Sequence, residues 1–567
     1  MRLLRTSLSL WTLRASFLFF AGCSFLGPQT YQDGATPDAR SGGDVAVPDA
    51  PAEDANIGGA TFPRCENDPG AVMAPVPDGA GGFRCIRTGA LGGGDTMWPT
   101  TDSSEMPVVF VNAGADAGGS GSRTSPFRTI VEALQHDPPA ATIVLAAGAT
   151  HSISSPLAVR RRVSILGAGS GAAGSNVRNE TTDTAFDVSS ASGLVQLRGF
   201  RIAADRTAMS THVRVGSDAR VVIDDVHFTG AQSAIDLRAN SSAALDAVTV
   251  VDTSGDGVRV GAQSDATLRG VLISGAGAHG VLVEGGHLSF VESRVAGAAR
   301  GGIVLTGNGG TVADRLDRVA LIDNVGVGLA VSGAGRLTQV FMSGVLGTNV
   351  PAGGGAGGVG MFVTSGAHLI VDADRTGAGQ RGRGTYVIGN ATLGVLASGS
   401  STRLDAHALR VFANRGPGMF IQGAVGPTVI VESEFRENPV FGLGIVGGFD
   451  NVSLQCNGFL TAIGGDARWN GMTITAGDGL WVASDAPTTM NDLRNNDFES
   501  NFRFGAFFFN VSATLAGGSF RANGFPTGVY GSSTAASIGA TVADQRQQPM
   551  SPGRLPSGME RAEEPPL

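Results

Sequence analysis

The stretch GVRVGAQSDATLRGVLISGAGAHGVLVE at residues 257–284 contains the unit that decides the fold. A glycine, or a small stand-in, is followed by an apolar residue, any residue and a second apolar residue, as in GVRV and GVLV. Successive copies are 22 or 23 residues apart where they start at His212, Ala234, Gly257, Gly280 and Gly302. Apolar residues at every second position are typical of a strand with one buried face. A fixed interval of this length indicates a solenoid.

Two further repeats lie between the copies of this phrase. The unit apolar-x-x-apolar-x-apolar reads IDDVHF from Ile223, LDAVTV from Leu245 and LRGVLI from Leu268, and it predicts the other strands of each coil. An asparagine precedes the glycine by four or five residues at Asn324, Asn390, Asn414, Asn438, Asn501 and Asn523. Asparagine tolerates the left-handed backbone of a tight turn, and its amide can bond an identical amide one coil away. We expect a structural asparagine ladder.

A short helix is predicted ahead of the coils. VVFVNAGADAGGSGSRTSPFRTIVEALQ gives a strand, a loop and a helix that Ser125 caps, with Phe127, Ile130 and Leu134 on one face. This order, followed by a strand ending in A-A-G, resembles the N-terminal cap of pectin-lyase-like right-handed parallel β-helices. The resemblance implies an all-β fold over residues 107–540. That fold is a single-stranded right-handed parallel β-helix of about 14 coils, whose first coil is covered by the short N-terminal capping helix.

The N-terminus carries a targeting signal. Basic residues and an apolar run over residues 1–22 end in Phe20-Ala21-Gly22-Cys23, which resembles the lipobox of a bacterial lipoprotein signal peptide. The resemblance implies lipidation of Cys23, contact with a membrane through the lipid anchor only, and export to the outer membrane or cell surface. A plain signal peptide is the alternative.

The segments that flank the predicted coils differ from them in composition. Residues 23–60 are rich in Asp, Ala, Pro and Gly and predict a disordered tether, and residues 541–567 predict a disordered tail. Residues 61–106 form a small loop segment in which we expect a disulfide between Cys65 and Cys85, with half of a metal site as the alternative. Cys456 is left over and is interpreted as a buried small hydrophobe.

Composition excludes several classes of function. All 40 basic residues are arginine, the net charge is −9, and no basic cluster occurs, so we expect no nucleic-acid partner. The eight histidines are scattered without the spacing of metal ligands, and neither a metal site nor a cofactor is predicted. Mechanisms that require lysine are excluded.

The third position of the repeated phrase should face solvent, because the second and fourth positions point inward. In chain order this column reads Asp187, Arg214, Asp236, Arg259, Leu282, Val304, Ala330, Phe362, Leu396, Phe420, Gly444, Trp481, Phe507 and Tyr530. We interpret the charged half as a structural ladder of opposite charges, because an arginine between two aspartates lowers both carboxyl pKa values and leaves no general acid.

The aromatic half is the predicted ligand-binding site: Phe362, Phe420, Trp481, Phe507 and Tyr530. Cover by long loops after residues 331, 363 and 445 is the alternative. No catalytic residue is assigned, because Asp224-Asp225 lacks the accompanying Gly-His-Gly and Arg-x-Lys of polygalacturonases and no Arg-x-Pro-x-x-Arg of pectate lyases occurs.

We therefore predict a lipid-anchored, surface-exposed protein that binds a polysaccharide or a cell-envelope component without catalysis. Two alternatives stay open. One is a polysaccharide lyase or glycoside hydrolase of the pectin-lyase-like class that depends on Asp236 or Arg259. The other is a structural spacer.

Overall fold

The structure is a computed structural model. It describes residue 65 and residues 72–543 apart from 81, 93–95, 100–106, 190–192, 206–208, 309, 311, 353–356, 376–378, 424–425, 448–451, 463–464, 470–471 and 532. The signal peptide, Cys23 and almost all of both predicted disordered segments lie outside these residues. The last strand, Thr541–Ala543, extends the coils slightly beyond the predicted end at residue 540.

The chain forms a right-handed parallel β-helix of about 15 coils, which confirms the predicted fold class. Each coil adds one strand to each of three parallel sheets. The strands of sheet 1 are Leu157–Val159, Thr184–Val188, Thr211–Val215, Ser233–Leu237, Val258–Val260, His279–Glu284, Gly301–Thr306, Val327–Ser332, Val359–Thr364, Leu393–Ser398, Met419–Gln422, Phe441–Val446, the first parts of Asp478–Arg494 and Phe504–Ala516, and Phe525–Tyr530.

Sheets 2 and 3 are built in the same way. The strands of sheet 2 are Val108–Val111, Thr142–Leu145, Val163–Leu166, the first parts of Leu194–Ala203 and Arg220–Thr229, Ser242–Asp246, Asp265–Arg269, His287–Val291, Asp314–Asp317, Leu337–Phe341, His368–Val371, Arg403–His407, Thr428–Val431, Val452–Gln455, the second parts of Asp478–Arg494 and Phe504–Ala516, and Thr534–Ile538. The strands of sheet 3 are Thr150–Ile153, Ser175–Asn179, the second parts of Leu194–Ala203 and Arg220–Thr229, Thr249–Val251, Leu272–Ser274, Arg294–Ala296, Ala320–Ile322, Gly344–Leu346, Tyr386–Ile388, Arg410–Phe412, Glu434–Arg436, Gly458–Leu460, Asp497–Glu499, Ser519–Arg521 and Thr541–Ala543. Two antiparallel hairpins, Val72–Pro77 with Phe83–Thr88 and Gly465–Trp469 with Met472–Ala476, are separate from these sheets.

The interior is a stack of apolar side chains in register. The second and fourth residues of the repeated phrase, such as Val258 and Val260, are fully buried, as the alternation predicts. Near the C-terminal end four phenylalanines stack directly, with ring centroids 4.6 to 5.3 Å apart: Phe435, Phe459, Phe498 and Phe520. Each coil therefore buries its apolar face against its neighbours, which is why the fold grows in one dimension.

Single residues with a positive φ make the sharp bends between sheets 2 and 3 and between sheets 3 and 1. In the first of these corners, equivalent positions are occupied by Asp225, Ala247, Gly270, Glu292, Arg318, Met342, Ala408, Glu432 and Cys456. Because most of these residues carry a Cβ, the left-handed conformation costs free energy at each coil and must be offset by the packing and hydrogen bonds around it.

The predicted asparagine ladder is present at the corner between sheets 3 and 1. The Asn390 side chain donates to Asn414 at 2.8 Å, Asn414 donates to Asn438 at 2.9 Å, and Asn501 donates to Asn523 at 2.8 Å. The ladder is interrupted where Ala462 occupies the position. A second ladder, which the sequence interpretation missed, lies at the corner between sheets 2 and 3, where Asn457 donates to Asn496 at 3.1 Å.

The capping helix is shorter than expected and begins later. It spans Ile130–Gln135, and Thr129 rather than Ser125 is its N-cap, in a capping box with Glu132. The prediction of Ser125 as the cap is wrong, because Ser125 instead bonds Ser122 in the preceding loop. Ile130 is buried in the interior of the first coils, so the helix covers their open end as predicted.

The described residues between 72 and 99 form a strap along the outside of sheet 3. Its Ala90 N–H donates to Thr249 Oγ1 at 2.7 Å and its Leu91 N–H donates to Asp225 Oδ1 at 2.7 Å. Further along, Arg294 donates to the Met73 carbonyl at 3.2 Å. The strap thus contacts several coils from outside and runs against the direction in which they are added.

The expected disulfide between Cys65 and Cys85 is present and ties residue 65 to the second strand of the strap's hairpin. Cys456 is half-buried at the corner between sheets 2 and 3, so it is less buried than the small hydrophobe that the sequence predicted. Within the described part of the chain, no helix is both long enough and apolar enough to span a bilayer.

Replacing Asn414 by alanine should lower the free energy of unfolding by about 2–4 kcal/mol, because the buried side chains of Asn390 and Asn438 lose their hydrogen bonds to it. The Asn414 oxygen accepts from both the backbone and the side chain of Asn390, at 3.0 and 2.8 Å. Urea denaturation would measure the change. The control is Asn349→Ala, at an exposed position; equal losses in the two variants would contradict a stabilising ladder.

Candidate functional site

The outward column of sheet 1 begins with charged residues in the predicted register. Arg214 pairs in the sheet with Asp187 on one side and Asp236 on the other, and Asp236 pairs with Arg259. Direct ion pairs nevertheless form with residues outside the column. Arg214 bonds Asp183 at 2.7 Å, Asp236 bonds Arg238 at 2.9 Å, and Arg259 bonds Glu284 at 2.7 Å. The charged residues of the column are therefore paired with residues outside the column, and they do not form salt bridges with one another from coil to coil.

Both arginines of the column remain charged. Desolvation disfavours the charged form of Arg214, but its bond to Asp183 and the carboxylates of Asp187 and Asp236 outweigh that effect and raise its pKa. The bond to Glu284 raises the pKa of Arg259, and the nearby carboxylates of Asp236 and Asp256 act in the same direction. A permanently charged guanidinium can bind a carboxylate through two parallel hydrogen bonds.

A histidine–aspartate pair lies near Arg259, with Asp256 on the coil of Arg259 and His279 on the next coil. His279 Nδ1 lies 2.9 Å from Asp256 Oδ1, and the backbone N–H of His279 donates to the same oxygen at 3.1 Å. The two side chains are 14% and 16% exposed. With Nδ1 donating to the carboxylate, Nε2 is the nitrogen that can accept a proton, and it has no partner among the described residues.

The sequence interpretation missed this pair because it treated the histidines as scattered. A usable signal was present: Asp256 and His279 are 23 residues apart, which is one coil, and both stand immediately before a glycine of the repeated phrase. Residues with that separation lie on adjacent coils. We call the following residues the charged face: Arg214, Asp236, Asp256, Arg259, His279 and Glu284.

The charged face combines groups that can transfer a proton with groups that can bind an anion. An imidazole oriented by a carboxylate can act as general base or acid, and the arginines can neutralise a negatively charged substrate. Among the described residues no group of three or more His, Cys, Asp or Glu side chains could hold a metal ion.

The predicted aromatic site is buried, so the expectation that it faces solvent is wrong. Phe362, Phe420 and Phe507 are each 1% exposed and Trp481 is 8% exposed. They belong to a second apolar cluster on the outer side of sheet 1, together with Val327, Val359 and Leu393. Tyr530 is not in the column, because the strand pairing sets Gly528 opposite Phe507 and Tyr530 opposite Phe509.

The buried rings form a stack that the sequence column did not contain in full. Phe441 lies between Phe420 and Trp481, with centroids 5.7 and 5.6 Å away, and Trp481 continues to Phe507 at 6.4 Å. The ring of Phe441 occupies the space over Gly444, where a Cβ would collide with it. Glycine in the column is therefore what allows the stack to continue.

An ion pair closes the far end of this stack. The Arg503 guanidinium lies over the Phe507 ring, 5.2 Å from its centroid, and Arg503 Nε donates to Asp478 Oδ1 at 2.9 Å. Asp478 is fully buried. The cluster is thus packed and electrostatically satisfied, as expected of a second core rather than a binding surface.

Comparison with family models supports the fold over part of the chain. A family model described as a right handed beta helix region matches residues 170–317. The A-module of the mannuronan C-5 epimerase AlgE6 of Azotobacter vinelandii is 12% identical over 71% of this chain and 91% of that chain, with a TM-score of 0.32. A variant of the periplasmic alginate epimerase AlgG is 11% identical over 73% of this chain and 88% of that chain, with a TM-score of 0.29. The catalytic domain of a GH87 alpha-1,3-glucanase with bound tetrasaccharides is 12% identical over 78% of this chain and 70% of that chain, with a TM-score of 0.39. No curated protein sequence matches the chain.

The prediction of a binding protein without catalysis is wrong. It rested on an exposed aromatic column, and the rings of that column are buried.

Replacing Trp481 by alanine should destabilise the protein by about 3–5 kcal/mol, because it leaves a cavity between Phe441 and Phe507. Thermal unfolding would show the loss. The control is Phe502→Ala, at a ring that is 43% exposed, and it should change stability by less than about 1 kcal/mol. An unchanged melting temperature in the Trp481 variant would mean that the ring is at the surface.

Proposed function

We propose that the protein is a carbohydrate-active enzyme that acts on an acidic polysaccharide at the charged face. The observation that carries the proposal is the His279–Asp256 pair, whose aspartate lies on the same coil as Arg259 and whose histidine lies on the next coil, with Arg214 two coils before Arg259. A carboxylate bound by arginine and a histidine with one free nitrogen are the two groups that uronate chemistry needs.

The arginines would bind the substrate carboxylate and spread its negative charge. Neutralising a carboxylate makes the hydrogen on the adjacent carbon more acidic, so that a general base can remove it. His279 Nε2 would take this proton, and Asp256 would stabilise the imidazolium that results. The electron pair left on carbon would form a carbon–carbon double bond and expel the glycosidic oxygen, which takes up a proton from water and leaves as a hydroxyl; the chain is cut and one product has an unsaturated sugar end.

This chemistry favours a lyase-type reaction over hydrolysis. A glycoside hydrolase needs one carboxyl group that stays protonated as the general acid. Asp236 pairs in the sheet with Arg214 and Arg259 and bonds Arg238 at 2.9 Å, so guanidinium groups engage its carboxylate and it is not free to approach a glycosidic oxygen. Proton abstraction by histidine makes no such demand on the aspartates.

Purified protein should release unsaturated ends from at least one uronate polymer, measured by ultraviolet absorbance across polymers of mannuronate, guluronate and galacturonate. His279→Gln should lower kcat by about 10²–10⁴-fold, because it removes the base. Arg259→Gln should chiefly weaken binding of the anionic substrate and raise KM.

The control is His287→Gln. His287 lies on the same coil, eight residues after His279, but belongs to sheet 2, where its Nδ1 lies 3.5 Å from Asp265 Oδ1, so activity should be unchanged. Folding of each variant is checked by its melting temperature. A wild-type protein without activity on any of these polymers, or a fully active His279 variant, would contradict the proposal.

We also propose that the chain is exported and held at the outer membrane or cell surface by a lipid on Cys23. The Cys65–Cys85 disulfide supports an oxidising compartment. Expressed with its natural N-terminus in a Gram-negative bacterium, the protein should incorporate a labelled fatty acid and fractionate with membranes. Cys23→Ser should abolish both, while Cys65→Ser should keep the label; a labelled Cys23 variant would refute lipidation there.

A further inference from the structure

A polar groove lies at the corner between sheets 1 and 2, on the same three coils as Arg214, Asp236 and Arg259 but at the turns that follow them. It encloses about 420 Å³ and is lined mainly by Asp218, Arg220, Asn240, Ser242, Gln263 and Asp265. This volume falls within the range of small-molecule sites in proteins. The groove extends along the axis of the solenoid, because its lining comes from equivalent positions on three successive coils.

Two rows of side chains form the groove. Asp218, Asn240 and Gln263 occupy the tips of consecutive turns, each with a φ between 57° and 60°. Arg220, Ser242 and Asp265 pair in register at the start of sheet 2 and form the other row. Equivalent atoms in either row therefore repeat at the coil spacing of about 4.8 Å.

The polar side-chain atoms at the tips of these turns make no hydrogen bond that holds the fold together. The side chains of Asp218, Arg220, Asn240 and Gln263 have no hydrogen-bond or ionic partner in the part of the chain that the structure describes. The backbone of the tips is fixed nonetheless, since the Asn240 N–H donates to the Ala262 carbonyl at 3.0 Å and the Gln263 N–H donates to the Gly285 carbonyl at 3.0 Å. Free side chains on a fixed backbone are suited to binding.

Buried hydroxyl groups make the floor of the groove rigid. The Ser241 and Ser264 hydroxyls both donate to the Arg238 carbonyl at 2.6 Å, and Ser264 Oγ accepts from the Ser241 N–H at 3.1 Å. Both serines are almost fully buried. A floor that is already ordered reduces the entropy lost when a ligand binds.

We propose that this groove binds a neutral saccharide chain lying along the axis of the solenoid. Amide, hydroxyl, carboxylate and guanidinium groups are donors and acceptors for sugar hydroxyls, and here they recur at regular intervals. Asp218 and Asp265 outnumber the single cation Arg220, so the lining disfavours an anionic chain. The site is distinct from the charged face and does not depend on catalysis there.

The test compares binding of neutral and acidic oligosaccharides by isothermal titration. The probes are cello-oligosaccharides, laminari-oligosaccharides and soluble α-glucan, with oligogalacturonate as the acidic counterpart. The double variant Asn240→Gly and Gln263→Gly removes both amides, and glycine accepts the positive φ of these positions without strain. The matched control is Ser365→Gly with Ser401→Gly, at positive-φ positions of the same corner several coils away.

We expect at least one neutral probe to bind the wild-type protein and to lose about tenfold or more in affinity in the double variant, since two hydrogen bonds are removed. The control should bind as the wild type does, and all three proteins should share a melting temperature within a few degrees. Absence of binding to every neutral probe, equal binding of the neutral probes in the double variant, or a larger loss of affinity for the acidic probe than for the neutral probes in that variant would each overturn the proposal.

Discussion

The structure depends on one constraint: every residue of a coil must fit against the residue at the same position one coil above and one coil below. Parallel pairing in register makes like residues neighbours, so a side chain is tolerated only if it can stack on its counterpart. Valines and phenylalanines do so inside, and asparagines do so at the corners. The same constraint brings Asp256 under His279 and Arg214 between two aspartates.

The sequence was most informative where this constraint acts directly. The repeated phrase predicted the inward positions, the charged column and the asparagine ladder, because all three follow from position within a coil. It could not predict what lies against the outer side of sheet 1. Phe441 stands three residues before the column position of Gly444, and its ring reaches over that glycine to join the stack. Whether a side chain is exposed depends on which other parts of the chain pack against it, and the repeat period alone does not give that information.

The outer sides of the two halves of sheet 1 therefore differ in their chemistry. In the half with Phe420 and Trp481, the outer side is dry and adds a second core beside the first. In the half with Arg214 and Arg259, charges with lateral partners stay partly open to solvent. The dry half gives the rod stiffness, and the charged half carries the groups capable of chemistry. His279, the candidate functional residue that the sequence interpretation missed, lies near the boundary between the two halves of sheet 1. It could have been found by comparing residues one coil apart.

The strap on sheet 3 has a consequence for the order of folding. Its residues leave the ribosome before any coil exists, yet Met73 and Gly79 are bound by arginines that follow 221 and 296 positions later. Coils can form one after another as the chain emerges, since each needs only its predecessor. The strap cannot dock until the tenth or so of them is made, so its attachment comes late and closes a very long loop. A segment that is synthesised before the coils thus finds its place only after about ten of them have formed, and its docking marks that stage in the assembly of the rod.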